Sequence, residues 1–369
     1  MSSSNDSRPG KQPLHAQVAD FLRHNVIGPQ PPGMKLESEA VLAGQLGVSV
    51  MTLRQALSVL AHQGLIERRQ GSGTYVADTR ANRHVAIMSL ASQDIPDSSF
   101  QLRVENLLGA VLQERGYRFR FYVWTKSMEG VVCPDFVEEA SQNRISGAVF
   151  LAMHAEPAMS ILRKNRIPYV LTTESDPPGV AIDRAQIVRD GTRYLLDRGC
   201  RRIALMQWSS YGIDRLTNPV FASALAERGL KPNPRWVRAS VHPSVPGAGW
   251  EQLHKIWSAG KEKPDGLVVT DDVLFRDVAM GILESGIRVP EQLQVITHTN
   301  RGSRVTCPFP FAALEIDPQE YAEELAAMLI RMMNKETMSE ETRCVRAHLI
   351  LPGKKSVGEP LSSQRTVTA

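Results

Sequence analysis

The chain has 369 residues, of which 42% are hydrophobic and 22% charged, and this composition is typical of a globular protein with two or three domains. No apolar stretch reaches the roughly 18 residues that a membrane-spanning helix needs, and the polar first twelve residues do not resemble a signal peptide. The four cysteines are scattered, without a Cys-x-x-Cys pair or a histidine at ligand spacing. We therefore expect reduced thiols in a cytoplasmic protein, with no zinc site and no disulfide framework.

The net charge of +4 is unevenly distributed along the chain. Residues 1–83 hold nine Lys and Arg against six Asp and Glu, a net +3, whereas the remaining 286 residues hold 34 against 33, a net +1. The small excess at the N-terminal end is compatible with phosphate binding but does not by itself indicate nucleic acid.

A small helical module is predicted after a disordered tail at residues 1–12. Apolar residues at helical spacing between Leu14 and Ile27 predict a first helix. Ser38 is placed to cap a second helix that ends at Leu46, and Ser49 is placed to cap a third. Two short strands then flank a turn at residues 70–73, and the order of elements predicts a winged helix-turn-helix over residues 13–77.

The third helix and the hairpin are the candidate DNA-binding surface. The start of a recognition helix enters the major groove, where short polar side chains and arginine reach base edges. The hairpin, with Arg68 and Arg69, is expected to contact phosphate or the minor groove. The predicted DNA-binding residues are Lys35, Ser38, Glu39, Ser49, Met51, Thr52, Arg54, Gln55, Arg69, Gln70, Gly71 and Gly73. The alternative is a solvated helix and hairpin that contact another protein.

This stretch resembles the DNA-binding domain of the GntR family. The family has a Leu-Pro-Ser-Glu-Arg run, in which this chain carries Glu37 for proline and Ala40 for arginine. Where the family opens its recognition helix with Ser-Arg, this chain has Ser49 and Val50, while Arg54 is kept. The resemblance implies the fold and DNA binding, but the two missing arginines leave the operator sequence open.

After a short polar linker at residues 78–83, apolar strands alternate with helices in two similar series. Such alternation builds parallel sheets with helices on both faces, and two halves predict a two-lobed unit with a ligand cleft between them. The predicted strands are 85–90, 119–124, 147–152, 169–172, 202–206, 266–269 and 293–297. The predicted helices are 101–115, 135–143, 157–164, 186–198, 219–227, 250–257, 273–285 and 318–333.

Residues 84–353 resemble the LacI/GalR and periplasmic-binding-protein type I family. The resemblance rests on Asp183 with the Tyr194–Leu205 segment, on Pro264–Asp272, and most clearly on Glu284–Ile296. It implies a doubly wound, parallel-sheet α/β fold that senses a ligand and dimerises. The N-lobe is expected at about 84–190 and 318–345, the C-lobe at about 191–317 and 346–353, and a disordered tail at 354–369.

The same resemblance implies the ligand contacts. Those carried over by position or proximity are Phe100, Asp183, Trp208, Tyr211, Arg215, Asp271, Thr299, Asn300 and Arg301. Asp272 is expected to cap the next helix rather than to bind ligand. His298 and the three residues after it stand where the family has a Tyr/Phe-Asp-Asp run. The family's acidic contact is therefore missing, and an acidic sugar or a sugar phosphate joins the neutral sugars as a candidate effector.

The sequence thus predicts a cytoplasmic, ligand-responsive transcription regulator, a repressor rather than an activator, that binds an operator in double-stranded DNA as a homodimer. Closure of the lobes on a sugar-like effector would change the spacing of the two heads. We expect no cofactor, no metal, no membrane contact and no catalytic residues, since neither a Ser-His-Asp set nor a Walker lysine is found. The alternatives are a solute-binding protein without specific DNA function and, with less support, an enzyme with an appended head.

Overall fold

The computed structural model describes residues 13–77, 83–90, 99–124, 132–151, 155–172, 179–207, 213–239, 245–303, 305–336 and 342–352. The predicted tails, nearly all of the predicted linker, and the ligand candidates Trp208 and Tyr211 lie outside the described residues. None of the described helices is both long and apolar enough to span a bilayer.

The N-terminal head has the predicted winged helix-turn-helix arrangement. Its elements are α1 (Leu14–Phe21), a helical turn (Leu22–Ile27), α2 (Glu39–Leu46), α3 (Val50–His62), β1 (Ile66–Arg69) and β2 (Gly73–Val76). The two strands pair antiparallel, with Ile66 opposite Val76 and Arg69 opposite Gly73. Leu53, Leu57 and Leu60 of α3 are fully buried in the head's own core.

Local capping explains where the helices of the head begin and end. The Ser38 hydroxyl accepts a hydrogen bond from the Val41 amide, and the Ser49 hydroxyl accepts one from the Thr52 amide, which confirms both predicted caps. Gly47 adopts a left-handed conformation, with φ of +65°, between α2 and the cap of α3. A side chain at this position would strain the turn that sets the angle between the two helices.

The first lobe of the large module is built on a four-stranded parallel sheet in the order β4-β3-β5-β6. Its elements are β3 (His84–Leu90), α4 (Ser99–Glu114), β4 (Phe119–Trp124), α5 (Pro134–Ser141), β5 (Ile145–Leu151), α6 (Glu156–Lys164) and β6 (Tyr169–Leu171). A further short strand, β7 (Val180–Ile182), leads out of the lobe. The central strands are buried on both faces, as expected for a parallel sheet covered by helices.

The second lobe has a six-stranded sheet in the order β14-β12-β11-β10-β8-β9, which is parallel except for β14 (His348–Ile350). Its elements are α7 (Arg184–Asp197), β8 (Ile203–Met206), α8 (Ile213–Ala226), β9 (Val237–Arg238), α9 (Ala248–Ser258), β10 (Gly266–Val269), α10 (Asp272–Glu284), β11 (Gln294–Asn300) and β12 (Ala312–Ile316). The predicted helix at 219–227 in fact starts at Ile213, because Pro219 lies inside the helix rather than in its first turn.

Three chain crossings join the lobes. The chain first crosses at Asp183, and α7 then packs on the second sheet as one continuous helix. The expected boundary of the N-lobe at about residue 190 falls within this helix. It returns after β12 into α11 (Pro318–Met333), which packs on α4 and β5 of the first lobe. The last crossing lies between β13 (Arg343–Val345), paired with β7, and β14 (His348–Ile350), paired with β12.

Candidate DNA interface and sensor cleft

The start of α3 presents polar side chains to solvent. Ser49, Met51, Arg54 and Gln55 are exposed, and Thr52 is half-buried. The Ser49 and Thr52 hydroxyls lie 2.8 Å apart, so the two side chains hold each other in place. Because the opposite side of the helix is locked into the core, this end of α3 is a rigid polar surface of the kind that reads base edges.

An acidic side chain bridges the recognition helix and the hairpin. Glu39, at the start of α2, accepts a 2.6 Å hydrogen bond from Arg54 Nε and lies 3.7 Å from Arg68 Nη2. Arg68 also donates to the Arg54 carbonyl oxygen at 3.4 Å. All three side chains are accessible to solvent, so these pairs orient Arg54 but each contributes only about 0–1 kcal/mol.

Tyr75 organises the basic residues of the hairpin. The Arg69 guanidinium lies 4.5 Å from the centre of the Tyr75 ring, and the Lys35 ammonium lies 6.0 Å from the same centre. The Tyr75 hydroxyl is 2.6 Å from the Ser72 hydroxyl, which ties the ring to the turn. A side chain on Gly73 would strain the backbone, whose φ is +125°, and would displace the flexible end of Lys35, whose Cε would lie 2.8 Å from the added Cβ. Sequence reasoning selected Lys35, Arg69 and Gly73 but missed the tyrosine that joins them.

In the second lobe, polar residues cluster where β10 and β11 end. Asp271 Oδ1 accepts from the amides of Val273 and Leu274, both at 3.0 Å, so Asp271 caps α10. The prediction that Asp272 is the cap was wrong, since Asp271 holds the extended backbone conformation of a cap and Asp272 is already helical. Burial, and next the charge of Asp272, raise the pKa of Asp271 to about 6.

Asp272 is instead the centre of a buried hydrogen-bonded group. Its Oδ2 accepts from the Asn300 side-chain amide at 3.2 Å and from the Ser303 hydroxyl at 3.3 Å. Asp272 is 7% exposed and Asn300 3% exposed. The carboxylate therefore connects the start of α10 to the end of β11, two segments far apart in sequence.

His298 lies buried on β11, beside Asn300 and Asp272. Within the described ranges neither of its ring nitrogens makes a hydrogen bond, and the same holds for Asn300 Oδ1. Burial lowers the pKa of His298 to about 4 and Arg184 adds to this shift, whereas the charge of Asp272 and the neighbouring Asn300 side chain oppose it. The imidazole is thus neutral at neutral pH and offers one donor and one acceptor. Sequence reasoning used His298 only as a departure from the family pattern, although its position in a predicted cleft run could have made it a candidate.

The two predicted cleft arginines differ in their surroundings. Arg301 pairs with Glu315 at 3.1 Å and with Asp317, so its charge is already matched by two carboxylates. Arg215 is exposed near the start of α8. Across the lobes, Arg103 of α4 donates to the carbonyl oxygens of Arg301 and Gly302. This contact links the first lobe directly to the loop that follows β11.

The remaining candidates have structural partners. Phe100 packs on the first-lobe core with its ring centre 5.8 Å from that of Tyr321, and Asp183 caps α7 through the Gln186 amide at 2.8 Å. Thr299 is buried on β11. At the end of β8, buried Gln207 accepts from the Thr217 hydroxyl at 2.7 Å, a polar contact that the sequence did not suggest. No group of three or more His, Cys, Asp or Glu in the described part of the chain could hold a metal ion.

Two family descriptions match this architecture. Residues 14–76 match "Bacterial regulatory proteins, gntR family", and residues 192–351 match "Periplasmic binding protein-like domain". The chain is therefore a DNA-binding transcription regulator that joins a GntR-type head to a periplasmic-binding-protein-like sensor domain, as the two resemblances predicted.

Several known proteins share this arrangement over most of their length. The chain is 24% identical to the "Arabinose metabolism transcriptional repressor" of Halalkalibacterium halodurans over 331 residues, which is 83% of this chain and 85% of that protein. It is 23% identical to the protein of the same name from Geobacillus stearothermophilus, over 87% of this chain and 91% of that protein. The solved "transcriptional regulator CelR-cellobiose complex" has the same fold, with a TM-score of 0.61 and 19% identity over 86% of this chain and 99% of that chain.

Proposed function

We propose that this regulator is a repressor whose affinity for its operator is controlled by a neutral sugar bound between the two lobes. The observation that carries the proposal is the buried group of His298, Asn300 and Asp272 at the ends of β10 and β11. Burying polar atoms without partners costs about 1–3 kcal/mol each, and the hydroxyl groups of a sugar would supply the missing partners. The names of the relatives, which refer to arabinose metabolism and to a cellobiose complex, support the same class of ligand.

The charges around this group favour a neutral ligand over a sugar acid or sugar phosphate. His298 is uncharged at neutral pH, and Arg301 is matched by Glu315 and Asp317. The positive charge of Arg184 is offset by Asp271 and Asp272 in the same group. Among His298, Arg301 and Arg184, therefore, no positive charge is left unmatched to attract an anionic effector.

The three crossings supply a mechanism for the response. Domains joined by short crossings close as rigid bodies around a ligand, and the Arg103 contact with the loop after β11 is one that closure would rearrange. Because the head is joined to the first lobe, movement of that lobe would change the spacing of two heads in a homodimer on two half-sites. We place this action in the cytoplasm, where the operator is, and propose that the effector leaves chemically unchanged.

A thermal-shift screen of neutral sugars, sugar acids and sugar phosphates against the full chain tests the proposal. One neutral sugar should stabilise the protein, by about 2.7 kcal/mol at a concentration 100 times its dissociation constant. His298→Ala should lose most of that shift, whereas Arg288→Gln, an exposed control on the same lobe, should keep it. The same sugar should release a selected operator fragment in a fluorescence-anisotropy titration. Stabilisation by anionic compounds alone, or a sugar that binds without altering operator affinity, would refute the proposal, and conversion of the sugar would indicate an enzyme.

A further inference from the structure

Two apolar side chains stand in solvent at the start of the recognition helix. Val50 and Met51 are the first two residues of α3, and their side chains are 39% and 64% exposed. Within residues 13–77, all of which the structure describes, neither residue joins the hydrophobic core of the head. Packing inside the head therefore does not explain why a valine and a methionine occupy this turn.

The buried side of α3 fixes the direction in which the two side chains project. The three leucines of the helix are fully buried, so the first turn cannot rotate to bring Val50 and Met51 into the core. Arg54 follows Val50 by four residues and Gln55 follows Met51 by four, so the members of each pair share one side of the helix. The two apolar side chains thus belong to the same exposed surface as the predicted base contacts. Sequence reasoning selected Met51 for this surface but not Val50.

The polar groups next to the two side chains are already engaged. The Ser49 hydroxyl accepts from the Thr52 amide at 3.1 Å, and the Ser49 and Thr52 hydroxyls lie 2.8 Å apart. Arg54 donates to Glu39 at 2.6 Å. Val50 and Met51 therefore give the first turn of α3 an outward surface of methyl, methylene and thioether groups rather than of hydrogen-bonding atoms.

The major groove of DNA offers one apolar group that fits such a surface. Thymine carries a 5-methyl group at the edge of the groove, whereas the other three bases are distinguished there by hydrogen-bond donors and acceptors. We favour DNA over a protein partner, because the head is a DNA-binding domain and the start of a recognition helix is the part that enters the groove.

We propose that Val50 and Met51 determine operator specificity by contacting the methyl groups of thymine. The sequence under each head then contains thymine opposite the start of α3, where it is read through its methyl group and not through a hydrogen bond. Arg54 lies about 6 Å further along the helix axis, which corresponds to between one and two base-pair steps of about 3.4 Å. These contacts belong to the head alone, so they do not depend on the effector in the cleft.

Replacement of thymine by uracil tests the contact, because it removes the 5-methyl group and keeps every hydrogen-bonding atom. A duplex is selected from a random library with the full wild-type chain, and each of its thymines in turn is replaced by deoxyuridine. Fluorescence anisotropy at one salt concentration gives the affinity of the wild type, Val50→Ala and Met51→Ala for every duplex. Met280→Ala is the control, since Met280 on α10 is 63% exposed and so matches Met51 in residue type and in exposure. Met51→Leu keeps an apolar side chain of similar size.

At one or more positions, loss of the methyl group should weaken binding by the wild type, the control and Met51→Leu about fourfold, the equivalent of about 0.8 kcal/mol for one buried methylene-sized group. At such a position one of the two alanine variants should lose most of this difference, and that variant identifies the side chain in contact. A wild type that does not distinguish thymine from uracil at any position would overturn the proposal. A difference that persists unchanged in both alanine variants would overturn it as well, because another residue would then read the methyl group.

Discussion

The head and the sensor cleft present their polar residues in opposite ways. In the head, Arg54, Gln55 and Arg69 stand in solvent on a frame fixed by short-range caps and a small core. In the cleft, Asp272, His298 and Asn300 are buried and brought together from segments about thirty residues apart. An exposed contact can be changed without harm to the fold, whereas a buried polar group stabilises the fold only while its partners are present. Substitutions should therefore separate the two regions: DNA affinity in one, stability and ligand affinity in the other.

The largest effect should come from Asp272→Ala. Removing the carboxylate leaves the buried Asn300 amide without its acceptor, and hydrogen bonds to charged groups contribute about 1.5–3 kcal/mol each. We expect the free energy of unfolding to fall by about 3 kcal/mol in urea titrations. Asp272→Asn, which keeps the shape and one acceptor, should lose less. Equal stability of the alanine variant and the wild type would show that the group is not the buried centre described here.

Operator affinity should respond next most strongly, to Arg54→Ala. If Arg54 reads a base, its loss weakens specific binding by about 1–3 kcal/mol while nonspecific binding changes little. Competition assays on a selected duplex and on a scrambled duplex measure the difference, with Arg115→Ala, an exposed arginine of the first lobe, as the control. A loss of the same size on both duplexes would assign Arg54 to the phosphate backbone, and an unchanged footprint would remove it from the contacts.

The burial of His298 in the cleft should make the stability of the protein depend on pH. Its pKa of about 4 in the folded protein lies below the ordinary value of 6.5, so the unfolded chain takes up a proton first as the pH falls below 6.5. The stability that the neutral His298 side chain contributes above pH 6.5 is therefore lost progressively between pH 6.5 and pH 4. His298→Asn should thus gain about 1 kcal/mol relative to the wild type between pH 7 and pH 5.5. A difference between the two proteins that does not change with pH would contradict the buried neutral imidazole.

The raised pKa of Asp271 makes stability change with pH in the opposite direction. Its pKa, raised to about 6, means that the folded chain binds a proton that the unfolded chain releases at the same pH, so stability rises as the pH falls from 6 towards 4. The pH dependence of the wild type combines both pKa shifts. The difference between the wild type and His298→Asn isolates the contribution of His298, and the variant by itself retains that of Asp271.

The smallest effect is expected for Glu39→Gln in the head. Its pairs with Arg54 and Arg68 are accessible to solvent, and such pairs contribute about 0–1 kcal/mol to stability. Thermal unfolding should therefore change little, and the change in operator affinity should be smaller than that of Arg54→Ala. A loss of stability comparable to that of Asp272→Ala would mean that the head and the cleft do not differ as described.

The sequence by itself determined the elements of the head and most elements of the two lobes, together with the order in which they are joined. Ser38, Ser49 and Gly47 predict the helix boundaries of the head, because caps and turns depend on neighbours within three or four residues. Apolar periodicity likewise predicts the helices of both lobes and seven of their strands, since it depends only on which side of an element is buried. It did not predict the strands β7, β9, β12, β13 and β14.

Only the tertiary structure decided which polar groups meet. Asp271, and not its neighbour, caps α10; Arg301 is neutralised by residues of the next strand and crossing; and His298 is buried beside Asn300 and Asp272 without a hydrogen-bond partner among the described residues. Arg120 of β4 and Arg144, the residue before β5, converge in the same way on Glu139. Burial, pKa and pairing depend on distances between segments that are remote in sequence, and local patterns carry no measure of those distances.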